Sequence, residues 1–148
     1  MKIIKDPVHG YVEVEDFLLA LLDSPPLQRL RYIRQLGFSF LVYPGATHTR
    51  FEHSLGTMFL ADVAAHRFGI PEKERMLVVA AGLLHDIGHG PFSHASEPLM
   101  EQFLKTTHDD IERIISRGTG ALLEDHGIDP GELCSIVKGT HRLSGIIH

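Results

Sequence analysis

The feature that most constrains this chain is an apolar run over residues 76–84, broken only by Gly82. It ends abruptly in His85-Asp86 and then in Ile87-Gly88-His89-Gly90-Pro91. A helix that is apolar nearly all round belongs in the middle of a helical core. Gly88, Gly90 and Pro91 stop it, so core packing delivers an imidazole and a carboxylate from one point of the backbone. That pair suits a divalent metal, which takes neutral imidazole nitrogen and hard carboxylate oxygen in fixed geometry. A His-Asp pair alone reads more readily as a polar helix end with solvated histidines. His89 and His94, following within nine residues, and the residues upstream reverse that balance.

The rest of the chain reads as all-α with one short N-terminal β-hairpin. Residues 2–14 alternate around Pro7 and Gly10, which gives the hairpin. Phe17, Leu18, Leu21 and Leu22 share one helix face, with Asp16 as a cap. Ser24-Pro25-Pro26 ends that helix and opens another over 27–36, with Ser24 as cap. Leu27, Leu30, Ile33 and Leu36 form its core stripe, and Gln28, Arg29, Arg31, Arg34 and Gln35 lie outside it. Residues 37–50 carry no helical period and form an aromatic-rich loop. A helix is expected over 51–67, with Leu55, Phe59 and Val63 on one side. The central helix runs over 71–86, and its continuation past Ile87 is opposed by the glycines. Later helices are expected over 93–105, 108–117, 120–126 and 130–138, the second capped by Thr106 or Thr107 and the last opened by Asp129-Pro130.

Composition excludes several classes. The 148 residues make one domain able to bury a core, and a formal charge of −5 argues against a dedicated nucleic-acid binder. One cysteine, Cys134, forbids an internal disulfide and fits a reducing, cytoplasmic setting. No apolar run approaches the ~18 residues of a membrane span.

His53 is the best third metal ligand, since it begins a helix after a loop. Arg50 and Gln35 stand where they could contact phosphate or sugar, an arginine fork being suited to phosphate. His94, Glu97 and His108 form a second set, fitted to protonating a leaving oxygen and orienting an imidazole. His9, His48, His66, His126 and His141 read as structural or solvated.

Arg50-Phe51-Glu52-His53-Ser54-Leu55-Gly56, followed by Leu84-His85-Asp86-Ile87-Gly88-His89-Gly90-Pro91-Phe92-Ser93-His94, closely resembles the HD-domain superfamily. Within it the likeness is to the deoxynucleotide triphosphohydrolases related to the vertebrate sterile-alpha-motif and HD-domain protein. Lys5-Asp6-Pro7-Val8-His9-Gly10, the stretch from Asp23 to Gly37, and Tyr43-Pro44-Gly45-Ala46-Thr47-His48-Thr49-Arg50 extend it over nearly the whole chain.

The resemblance implies an HD helical bundle with His53, His85 and Asp86 as ligands of one divalent transition metal (iron, manganese, zinc or nickel). Magnesium could accompany the nucleotide phosphates. It implies that His94, Glu97 and His108 act at the α-phosphate and that Gln35 and Arg50 line the substrate pocket. Glu97 stands where the vertebrate protein has aspartate, a longer arm for the same carboxylate. Asp23, Gln28 and Arg31 match residues that read guanine between subunits, which implies a dGTP-type activator and a homo-oligomer. The family completes its metal site with an aspartate from a later helix. The chain therefore reads either as the N-terminal part of a longer one or as a short natural form with an incomplete site, and by itself is expected to bind metal weakly and release no triphosphate. Three further readings stay open: an HD phosphohydrolase acting on a nucleoside monophosphate, a cyclic nucleotide or guanosine tetraphosphate; a non-catalytic nucleotide-binding or assembly module; and, disfavoured by charge, a nucleic-acid binder.

Overall fold

The computed structural model describes all 148 residues. Strands β1 (Lys2–Asp6) and β2 (Gly10–Val14) pair antiparallel, with Ile4 opposite Val12 and Asp6 opposite Gly10. The turn is tied by Asp6, whose Oδ1 accepts from the backbone of Val8 at 3.0 Å and of His9 at 2.7 Å. Val12 and Val14 bury one face of the hairpin against the helices.

Helices follow as α1 (Asp16–Leu22), α2 (Pro25–Gln28), α3 (Arg50–Arg67), α4 (Glu72–Leu84), α5 (Glu97–Leu99), α6 (Glu112–Gly118), α7 (Gly120–Asp125) and α8 (Pro130–Val137). The centre is α4, where every residue from Leu77 to Leu84 is buried, packed between α3 and α8. Gly82 lets α3 come close: a Cβ there would stand 3.3 Å from both Ala61 Cβ and the Thr57 carbonyl oxygen. Arg75 enters the same interface and is held by Glu72, Asp62 and Glu15, so one guanidinium ties α4 to α3 and to the start of α1. Helix α3 starts on a capping box, in which Thr49 accepts from the Glu52 backbone and the Glu52 carboxylate accepts from the Thr49 backbone. Asp129 caps α8 in the expected way, accepting from Glu132 N at 2.7 Å.

Several elements depart from their sequence reading. The helix expected over 27–36 ends early: after α2 comes a 3₁₀ turn, Arg29–Tyr32, and then Ile33 is extended. Arg34 pairs with Thr49 in an isolated antiparallel bridge instead. Leu27, Leu30 and Ile33 are buried as the stripe requires, but Leu36 lies beyond the helix and is 51% exposed. Ser24 makes no capping bond, and α1 is preceded by Glu15 rather than capped by Asp16. On α3 the buried face is Phe51, Ser54, Leu55, Met58, Ala61 and Ala65, which turns Val63 outward.

The 93–105 helix is broken into a 3₁₀ turn (Ser93–Ser96), α5 and a π-helical stretch (Met100–Leu104) that ends at left-handed Lys105. The helix expected from 108 begins at Glu112, because Asp110 turns back to accept from Thr107 N at 3.0 Å, leaving His108 on a turn. Leu143 is buried, and Ile146 and Ile147 pack half-buried against the core beside a 3₁₀ turn, Ser144–Ile146. No helix is long and apolar enough to cross a membrane.

Candidate metal centre and histidine-carboxylate cluster

Helix α4 ends at Leu84, and His85, Asp86 and Ile87 turn off its C-terminus with Asp86 and Ile87 buried. His85 Nδ1–H donates to the Gly82 carbonyl at 2.8 Å, which leaves Nε2 as the lone-pair nitrogen facing out of the core. His53, in the first turns of α3, brings its Nε2 to 3.3 Å from His85 Nε2. Asp86 Oδ1 stands 3.4 Å from His85 Nε2, and Oδ2 stands 3.9 Å from His53 Nε2. Donors ~2.0–2.1 Å from one ion in tetrahedral array stand roughly 3.3–3.4 Å apart, which the His53–His85 and His85–Asp86 distances match, and the three side chains offer donor atoms within 4.8 Å of one another for a single divalent cation. No other carboxylate joins this group.

Arg50, the first residue of α3, is buried behind the set. Its Nη1 donates to Asp86 Oδ2 at 2.7 Å and its Nε to Ser93 Oγ at 2.9 Å, while Ser93 Oγ–H donates to the Arg34 carbonyl at 2.8 Å. Burial alone would push the Asp86 carboxyl up, but His85, Arg50 and His89 together hold it below the usual range. His53 is shifted down by burial, partly opposed by Asp86, so its ring stays neutral and able to ligate near neutral pH. Arg50 Nη2 and Gln35 Oε1 are both buried with no protein partner. A short ladder keeps these two residues together: Arg50 N donates to the Ile33 carbonyl at 2.8 Å and Gln35 N to the His48 carbonyl at 3.1 Å.

A second cluster abuts the first. His89 Nε2 lies 3.4 Å from Asp86 Oδ1, and its ring stacks on that of His108 at 4.2 Å. His94 stands edge-on to both rings. Glu97 binds one oxygen to His94 Nδ1 at 3.1 Å and the other to His108 Nδ1. The far nitrogen of His108, Nε2, is 3.0 Å from Asp109 Oδ1. His89, His94 and His108 also bring three ring nitrogens within 4.8 Å of one another. Desolvation drives the His89 imidazole down to about 3, so it stays neutral across the physiological range. Burial also pushes His108 down. Residues Phe92 and Ser93 are left-handed, with φ of 66° and 53°; this tight turn swings Ser93 onto Arg50 and His94 towards Glu97.

The structure thus brings together His53, His85 and Asp86 in one set and His94, Glu97 and His108 in another. Arg50 underlies the first, and Gln35 adjoins it through the ladder. A cavity of about 240 Å³ opens beside His53, lined in part by Asp6, His9, His48, Glu52 and Thr57. A larger one, about 530 Å³, lies among α6, α7 and α8 and contains none of these residues. Of the other named residues, Gln28 and Arg31 bond to each other at 2.7 Å with the Arg31 guanidinium 3.5 Å over the Phe51 ring. Asp23 is exposed nearby at the end of α1. Two residues of the site escaped the sequence reading. His89 received no role because helical spacing fails after Ile87. Arg29 carries no signal beyond its place outside the core stripe, yet its Nη2 donates to the carbonyls of Ile87 and His89, each at 2.8 Å.

The HD domain family model matches residues 50–146, which include all the ligand candidates and the second cluster. The chain belongs to the HD domain family. It is 42% identical over 155 aligned residues to the human deoxynucleoside triphosphate triphosphohydrolase SAMHD1, covering 93% of this chain and 25% of that protein. The Dictyostelium discoideum homologue of SAMHD1 is 37% identical over 154 residues, with 95% of this chain and 30% of the relative covered. An uncharacterized Methanocaldococcus jannaschii protein, MJ1154, is 48% identical over 97 residues, 66% of this chain and 21% of its own length. The chain therefore spans between a fifth and a third of the length of these relatives.

Proposed function

We propose that this chain carries the divalent-metal site of a phosphohydrolase that cleaves deoxynucleoside triphosphates to deoxynucleoside and triphosphate. One observation carries the reading: Asp86 Oδ1 is 3.4 Å from His85 Nε2 on one side and 3.4 Å from His89 Nε2 on the other, so a metal-compatible donor set adjoins a histidine-carboxylate relay. The resemblance to the triphosphohydrolases named above supports the substrate class.

In this proposal His53, His85 and Asp86 hold one transition metal, iron, manganese, zinc or nickel. Bound there, it supplies Lewis acidity towards an α-phosphoryl oxygen and lowers the pKa of an attacking water. Arg50 keeps Asp86 ionised and turned towards the two imidazoles, and its unpaired Nη2 remains for a phosphate oxygen. Gln35 Oε1 remains to accept from a sugar hydroxyl. Water adds to the α-phosphorus, its proton passing to solvent, and the bond to the 5′-oxygen breaks. His94 gives that oxygen its proton from Nε2, while Glu97 accepts from Nδ1–H and fixes the ring. Neutral His89 fills the space between Asp86 and His108 and excludes water. The same proposal includes a dGTP-type activator at Asp23, Gln28 and Arg31 and a homo-oligomer. Exposed Tyr32, Phe38, Leu41, Val42 and Tyr43 supply apolar surface for association.

The test is product analysis of the full-length protein with each deoxynucleoside triphosphate in ¹⁸O-water. Inorganic triphosphate carrying the label, beside unlabelled deoxynucleoside, is expected. Orthophosphate or pyrophosphate as product, or turnover only of monophosphates or cyclic nucleotides, would overturn it.

A further inference from the structure

Gly88 lies between the two clusters. A Cβ built on it would fall 2.0 Å from the His108 carbonyl oxygen, 2.8 Å from its carbonyl carbon and 3.2 Å from its Cα. Gly88 is not among the residues with positive φ, so its backbone conformation does not demand glycine; the approach of His108 does. The peptides on either side are fixed by Arg29, whose Nη2 bonds both the Ile87 and His89 carbonyls at 2.8 Å. The backbone at Gly88 is thus braced by Arg29 through the carbonyls on either side of it and touched by the backbone of His108. With the backbone so seated, the His108 ring stacks on His89 and meets Glu97.

We propose that Gly88 and Arg29 are positioning residues: together they form a seat that sets the reach of His108 into the histidine-carboxylate relay. The inference rests on the function proposed above only for its activity arm. A carbonyl oxygen rests about 3.3–3.6 Å from an aliphatic carbon, so alanine at 88 forces the 106–110 turn outward by roughly 1.3 Å or more. Asp110 ties that turn by accepting from Thr107 N at 3.0 Å and pairing with part-exposed Lys138 at 3.1 Å, and fully buried Ile111 follows it. The exposed ion pair resists the push little, so residues 106–110 shift about the Ile111 anchor. Displacement of about 1 Å in a reacting group can cost on the order of 10²-fold in rate.

The experiment compares wild type, Gly88→Ala and Arg29→Met, each zinc-loaded so that the ion is diamagnetic. Ring-to-ring nuclear Overhauser contacts between His89 and His108 report the seat directly. Helical circular dichroism and zinc affinity report the fold and the His53, His85, Asp86 set. The expected result is loss of the His89–His108 contact in Gly88→Ala and its weakening in Arg29→Met, with zinc affinity within about 3-fold of wild type. In the active full-length protein, kcat falls at least 10-fold while KM changes less than about 3-fold. An intact ring contact in a folded Gly88→Ala protein overturns the proposal, as does loss of the contact with kcat unchanged. If Gly88→Ala does not fold, Arg29→Met decides by the same two readings. If wild type shows no triphosphohydrolase activity, the function proposed above fails, and the ring contacts still decide on the seat.

Discussion

Arg50 and Asp86 are the charged pair on which the site is built, with side chains only 2% and 5% exposed. Removing one partner strands the other's charge, which costs about 3–5 kcal/mol in buried pairs. Arg50→Ala should therefore lower thermal stability strongly as well as weaken nucleotide binding, measured by denaturant melts and by titration calorimetry. Its burial was not legible in the sequence, where it adjoins a loop and serves no apolar period. His89 gives a pH test. Its folded-state pKa, about 3, lies below the ordinary histidine value of 6.5, so between those values the unfolded chain binds the extra proton. Stability is fully present above pH 6.5 and declines as pH falls through the window towards 3, with a slope of about 1.4 kcal/mol per pH unit for one proton. Asp86, also held low, adds to the loss at the acid end of that window, below its ordinary 3.8. Metal-free His89→Gln should show a stability slope between pH 6 and 4.5 shallower by about one proton, read from urea midpoints across pH. An unchanged slope would mean that His89 is protonated in the native protein.

At the scale of elements, α3 and α4 were largely legible because α4 is one long apolar run and both helices carry clear boundary residues. Thr49 and Glu52 build the α3 capping box, and Thr49→Ala should cost roughly 0.5–2 kcal/mol of stability by chemical denaturation. Less was legible where tertiary pairing overrode local preference. The 27–36 helix yields after Tyr32 because Ile33 to Gln35 bond to the strand-like segment leading into α3. The 93–105 helix is broken at its start by the left-handed turn at Phe92 and Ser93, which Ser93's bonds to Arg50 and Arg34 sustain. His108 was expected on a helix and stands on a turn instead, since Asp110 bonds back to Thr107 rather than letting the helix begin. Residue types at the site were readable from the sequence and its family likeness. Their distances depended on close approaches, such as Gly88 on His108 and Arg29 on two carbonyls, that no periodicity encodes.

Taken as a whole molecule, α4 lies between α3 and α8, and its C-terminal end is the point where both clusters meet. A ligand that binds only the native state stabilises by mass action, about 2.7 kcal/mol at 100 times its dissociation constant. Manganese or zinc should accordingly raise the melting temperature of wild type, and His85→Ala should remove that rise without losing helical content. The central claim is that His53, His85 and Asp86 place one metal beside the α-phosphate of a deoxynucleotide. The most direct measurement is ³¹P relaxation of dGTP bound to protein loaded with one tightly held, paramagnetic cobalt(II). The account predicts that the α-phosphorus relaxes faster than the γ-phosphorus and that His85→Ala abolishes the effect. Fastest relaxation at the γ-phosphorus, or an undiminished effect in His85→Ala, would contradict it.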